Sequence, residues 1–437
     1  MTALRPLADA LNRLATTTGA VWWNCLPQLL TVSMLGWLGY NVFQQLAAMV
    51  VTVSAWWSLA MLAIGFVINL SAIIIGLRIA GQRLRIRQMV PLAADDPRDD
   101  SVSHLLSMTL LPFLGIYAVF DVITDAANDI QVNYYVFHGL TFENEVLAQL
   151  KPQGNGIWLI VGIIVGLYVV RRLIERWFDH SGWRPLGLLA ALVEGFFMLI
   201  VVLSGRQLLV SLGHWVEQRE FRVWLDQPRL WLERAFATIG VDISGLLDRI
   251  TGLWTEQLWP AAVAMVVEPM LWLALAALVF GTQVLSIADL WRRGRPVEVE
   301  LRRSRVQLGD RQRRVTLLFQ DAFWGDLNDK YLPTFQSLRL VLSVGAGFLG
   351  AFIVCYGVLV TGAEWFRRGL YALVGGHPAT FWAAAGPLID LAHTLLLEPL
   401  RWVLLATAFH QCLARFAARE GVDGEPASSE RSVRGAA

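Results

Sequence analysis

Long apolar runs broken by short polar or arginine-rich stretches set the plan of this chain. An α-helix needs roughly 20 apolar residues to cross the hydrocarbon of a bilayer. Runs near 21–46, 56–77, 105–124, 157–170, 186–204, 259–286, 338–359 and 387–413 predict about eight transmembrane helices. Asn24, Asn41, Gln44, Gln45 and Asn69, inside the first two runs, are better hidden against other helices than against lipid. Ahead of them, Leu7, Leu11 and Leu14 follow Pro6 at helical spacing, the pattern of an amphipathic helix lying on the membrane surface. Residues 1–20 lack the apolar core of a cleaved signal peptide.

Arginine clusters orient the runs. Arg78, Arg83, Arg85 and Arg87 follow the second run, Arg171, Arg172, Arg176 and Arg184 the fourth, and nine arginines between Arg292 and Arg314 the sixth. The positive-inside rule makes all three ends cytoplasmic and puts both termini inside. Segment 125–156 is acidic with few positive charges, as an external loop should be, and a second external loop with Glu364, Arg367, Arg368 and His377 joins the last two spans. The expected layout is an amphipathic segment at 1–20, five spans within 21–204, an external region with helical stripes at 205–258, and a sixth span at 259–286. A basic cytoplasmic segment at 287–336 follows, with strand-like alternation at 297–301 and 315–317, then two spans within 337–413 and a disordered tail at 414–437.

Composition sharpens this picture. At 56% hydrophobic and 16% charged residues, with a mean hydropathy of +0.51, the chain is not an ordinary soluble enzyme. The net charge of +1 gives no global attraction to nucleic acid. Cys25, Cys355 and Cys412 are odd in number and unpaired by any CxxC spacing, so they read as buried apolar residues. Lys151 and Lys330 are the only lysines against abundant arginine, the bias of a GC-rich bacterial genome, and the bacterial inner membrane is the expected location.

One short pattern occurs twice. Glu268-Pro269-Met270-Leu271-Trp272 returns as Glu398-Pro399-Leu400-Arg401-Trp402, each in an apolar run, which suggests two copies of one transmembrane unit on helices of the same direction. Proline lacks the N–H that would bond the carbonyl four residues back, so the carbonyls of Met265 and Leu395 are set free. A carboxylate beside a freed carbonyl suits a proton or a cation, and embedded acids usually face a bundle interior or water. Glu268, Glu398 and Glu194 are therefore the candidate sites, with Asp121 and Asp390 behind them. A second reading has each Glu-Pro step simply begin its helix at the outer interface, with 259–267 and 388–397 flat on the surface. Arg401 stands three residues after Glu398 and can pair with it, whereas Glu268 has Leu271 there, which makes Glu268 the stronger candidate for a titrating acid.

Of the seven histidines only His393 is embedded at a clear depth, with His410 nearer the cytoplasmic end of the same run. No HxxxH, HExxH, CxxCH, GxGxxG, Walker or GxSxG pattern is present, so no catalytic residue, metal or cofactor is expected. The pairs Gly162/Gly166 and Gly347/Gly350 predict close helix packing. Arg302, Arg303 and Arg305 can act as an orientation signal, or dock anionic lipid headgroups or another membrane subunit; no nucleic-acid module accompanies them. The expected fold is an all-α polytopic membrane protein with interfacial amphipathic helices. The expected function is a transport or channel component whose polar path is lined by embedded acids, and the alternative is a noncatalytic membrane subunit or scaffold of an envelope or secretion assembly. The two part on whether the acids converge or stand apart at interfacial helix starts.

Overall fold

The computed structural model describes residues 5–86, 102–120, 122–138, 251–281 and 345–423, with scattered positions between 162 and 249. Among the described residues all regular structure is helical. The helices are α1 (Arg5–Val50), α2 (Ala55–Arg83), α3 (Val102–Val119), α4 (Val122–His138), α5, α6 (Ala346–Val374) and α7 (Ala379–Asp423). The α-helical body of α5 is Glu268–Gly281; it is entered through two wider π-helical stretches, Leu253–Leu258 and Val263–Val267, with Trp259–Ala262 between them. Among the described residues three helices are long and apolar enough to cross a membrane: α2, the run Leu253–Phe280 of α5, and α6. They match the second, sixth and seventh apolar runs.

Helix α2 is the wall on which the others are built, touching α1, α3, α4, α5 and α7. It forms a hairpin with α1 across a short turn in which the Ser54 side chain accepts a hydrogen bond from the Trp56 N–H, the usual N-cap arrangement. Small residues let the backbones close up: a Cβ on Gly39 would stand 2.7 Å from Ile68, and Gly36 faces Ala72 in the same way. Further along α2, a Cβ on Gly76 would fall within the Trp402 ring of α7, and one on Gly81 would overlap the Phe280 ring of α5. Glycine is thus the device that seats both helices on α2. The expected pairs do not serve this purpose, since Gly162, Gly166 and Gly347 have open space around them and Gly350 only touches Leu7 at 4.0 Å.

Helices α5 and α7 run parallel. Arg401 lies over the Trp272 ring and, about two turns further along both helices, Phe409 stacks on Phe280 at 5.4 Å. The two Glu-Pro-x-x-Trp motifs therefore face one another in near register, and Trp272 and Trp402 are both buried.

Several expectations need correction. Residues 5–20 are no separate surface helix: α1 is one helix of 46 residues, Ala10 and Leu14 are in the core, and the buried Thr18 hydroxyl bonds Thr407 of α7 at 2.9 Å. The polar Thr16 and Thr17 permit this continuity because their hydroxyls return to the Asn12 and Arg13 carbonyls inside the helix. The acidic segment after residue 125 begins as helix α4, which buries Ile123, Ala126, Ala127 and Ile130 on one face. Glu364, Arg367 and Arg368 are on helix α6, and the loop to α7 shrinks to 375–378, opened by Gly375 in the left-handed region at φ 84. Helix α7 continues past residue 413 to Asp423. Described positions in the fourth and fifth runs are helical. Asp121, nearly all of 205–250, the basic segment with Arg302, Arg303 and Arg305, the strand-like pair and 424–437 lie outside the described residues.

Candidate functional site

Polar side chains collect along the seam between α6 and α7. The two helices are antiparallel, so residues climbing one meet residues descending the other: Arg367 faces Asp390, Glu364 faces His393, and Tyr356 lies within electrostatic reach of Arg401. At the outer end the Arg367 guanidinium donates to Glu364 Oε2 at 2.8 and 3.2 Å and approaches Asp390 Oδ1 at 4.0 Å. His393 Nε2 stands 3.6 Å from Glu364 Oε1. Exposure falls along this line, from 52% for the Asp390 side chain to 16% for His393 and 10% for Arg401.

The inner end is an ionic centre shared by five helices. Arg401 and Glu398, three residues apart on α7, form an ion pair. The Arg401 guanidinium carbon rests 4.3 Å from the centroid of Trp272 on α5, a cation–π contact worth about 2 kcal/mol where water is excluded. Tyr356 of α6 donates its hydroxyl to Glu268 Oε1 at 3.0 Å. Tyr117 of α3 accepts a hydrogen bond from Asn69 of α2 at 3.0 Å, packs its ring on Phe113 and lies within electrostatic reach of both Glu398 and Arg401. Asn69 stands near the middle of a helix long enough to cross a membrane, so the centre lies level with the midpoint of that helix. Such a charge is tolerable there only when paired and hydrogen-bonded.

The backbone at Glu268 is shaped by the proline after it. Pro269 offers no N–H, and the helix before it widens: the Glu268 N–H bonds the carbonyl of Val263, five residues back. The wider turn absorbs the missing bond without ending the helix. Pro399 likewise lies inside α7, far from its start at Ala379. Neither Glu-Pro step begins a helix at a surface, and that reading is overturned.

Glu268 and Glu398 are brought together, bridged by Tyr356 and Arg401. Glu268 is not without a partner, as its own helix suggested, because Tyr356 arrives from α6. Glu194 is also buried, on a short helical stretch where Gly195 meets Val67 of α2 and Leu110 of α3. Asp390 marks the outer end of the seam, beside α4: desolvation first, and then the Asp125 and Asp390 carboxylates, hold the Asp129 carboxyl above the ordinary carboxylate range. Sequence reasoning missed Tyr356, Tyr117, Glu364 and Arg367 as members of the network. One signal was available for the last two, since Glu364/Arg367 and Asp390/His393 are both i,i+3 pairs with the acid first, flanking a Gly-Gly turn, an order that antiparallel helices set face to face with opposite charges opposed.

Fold and site together define a protein whose described regular structure is all helical, with three described helices long and apolar enough to cross a membrane and a buried ionic network level with the middle of one of them. No protein-family model, curated protein or solved structure matches the chain.

Proposed function

We propose that this protein is a transport component that moves protons or small cations along the α6/α7 seam. The observation that carries the reading is the imbalance of charge along that line among the described residues: Glu364, Asp390, Glu398 and Glu268, with Asp129 and Asp125 of α4 next to Asp390, stand against two arginines, Arg367 and Arg401. Each unbalanced carboxylate in a low-dielectric setting calls for a positive charge that comes and goes. A scaffold needs only paired charges to dock a partner. Purified protein in liposomes, with a pH-sensitive dye or a sodium indicator inside, tests the reading under an imposed gradient. Glu268→Gln keeps the size of the side chain and removes its charge, and is expected to slow flux at least about tenfold while the detergent melting point stays within a few degrees. Flux equal to wild type would sink the transport role.

The arginine clusters supply the orientation, with both termini in the cytoplasm and about eight spans in a bacterial inner membrane. Cys25 and Cys412 are buried, so a variant with Cys355 replaced gives a quiet background for labelling. A cysteine introduced at Asn144 is expected to react with an impermeant maleimide in intact cells, and one at Arg83 only after the membrane is opened. The reverse pattern rejects this topology.

A further inference from the structure

We infer that the species carried is the proton and that His393 is its relay, taking it from the exposed Glu364/Asp390 end of the seam and passing it to the buried Glu398–Arg401 pair; this rests on the transport reading above. The coordination chemistry of the seam disfavours a metal cation. Sodium or calcium sheds water only where several oxygens converge on one point, and here Glu268, Glu364 and Glu398 are each engaged by a tyrosine or an arginine. Arg401, fixed at the inner end, would also repel a metal ion approaching Glu398. A proton needs no such cage. It needs titratable atoms with unused capacity, and the seam has two where they matter.

His393 Nε2 and Glu398 Oε2 are both buried and meet no hydrogen-bond partner among the described residues. Nε2 is 3.6 Å from Glu364 Oε1, near the reach of a hydrogen bond, and His393 is electrostatically coupled to Glu398 on its inner side. His393 also stands where exposure drops from 37% at Glu364 to 18% at Glu398. Imidazole is the side chain whose ordinary pKa lets it gain and lose a proton near neutrality. The transfer balances in two steps. The Glu364 carboxylic acid gives its proton to Nε2, leaving a carboxylate and an imidazolium; the imidazolium then releases its proton inward, and Oε2 of Glu398, five residues further along α7, takes it up through intervening water, restoring neutral histidine. The charged and titratable groups facing His393 are Glu364 and Arg367 from α6 and Asp390 and Glu398 from its own helix.

The test uses the full chain in liposomes with an internal pH dye. His393→Ala is expected to lower proton flux at least about tenfold, and millimolar imidazole in the outer buffer to restore a measurable part of it. His393→Gln, closer in size, is expected to be equally slow and to lose the pH-dependent inflection that the wild-type flux shows. Wild-type flux in both variants would overturn the relay and leave the transport reading standing. Slow flux with no imidazole rescue and an unchanged pH profile would assign His393 a packing role, again overturning the relay. A wild-type protein that moves sodium and no protons overturns the choice of species, and one that moves neither removes the transport reading itself.

Discussion

Glu398→Gln is expected to destabilise the detergent-solubilised protein by about 3 kcal/mol, and adding Arg401→Leu to return a good part of that loss. Removing one partner of a buried ion pair typically costs about 3–5 kcal/mol, because the survivor stays buried and uncompensated. Arg401 is nine-tenths buried, which places it in that regime. The lower end applies because Tyr356 remains beside Arg401, with its hydroxyl held by the Glu268 carboxylate, and can take part of the guanidinium charge. Arg401→Leu then removes the stranded charge but also its contact with the Trp272 ring, so recovery stays partial. Glu268→Gln combined with Glu398→Gln should cost more than the sum of the two singles, since Glu268→Gln removes the carboxylate that holds Tyr356, the group beside Arg401 that remains. Thermal unfolding of the four variants in one detergent decides the matter. A Glu398/Arg401 double variant no more stable than Glu398→Gln would rule out the stranded-charge account.

Gly76→Leu is expected to come next in size, at the top of the about 1–3 kcal/mol range for overpacked interiors. Even a Cβ at this position occupies space held by the six-membered ring of Trp402, one of the largest fully buried side chains in the protein. Neither helix backbone can yield cheaply, because α2 is fixed by its hairpin with α1 and α7 by its Thr18–Thr407 bond. The added side chain should displace the indole, with a lower melting point and altered tryptophan near-ultraviolet dichroism. Combining it with Trp402→Ala should recover much of the loss, the leucine filling space the ring gives up. A Gly76→Leu protein that melts with the wild type would show that α2 and α7 do not pack as described.

What was legible in the sequence was what local pattern can carry. Apolar runs marked the three helices able to cross a membrane, and the Glu398/Arg401 spacing placed two groups on one face. The repeated motif gave two helices of one direction, which the Arg401–Trp272 and Phe280–Phe409 contacts bear out for α5 and α7. Helix ends were misread wherever charge was taken for a loop. Asp125 and Asp129 hid the buried stripe of α4, and Glu364 and Arg367 hid the last turns of α6, because a polar residue on a helix facing other polar residues looks the same in sequence as one facing water. The partners of the acids were beyond reach for another reason: Tyr356, Tyr117 and Asn69 are remote in sequence and meet the motif only once five helices are assembled. Similarly, small-residue spacing predicted close packing, but which glycines face a neighbour depends on helix rotation that no spacing fixes.

The π-helical turns of α5 bear on more than the proline they accommodate. The inner body of that helix is gripped along its whole circumference from Trp272 to Phe280, whereas Leu253–Leu258 and Trp259–Ala262 bury nothing. A π turn holds one residue more than an α turn, and an α-helix advances about 100° per residue. Rewinding Val263–Val267 to α geometry would therefore leave the core untouched and swivel the whole outer segment, sweeping Trp254 and Trp259 through roughly a quarter turn. Glu268 is the pivot. Its N–H would pass from the carbonyl of Val263 to that of Ala264 while its carboxylate stays on Tyr356.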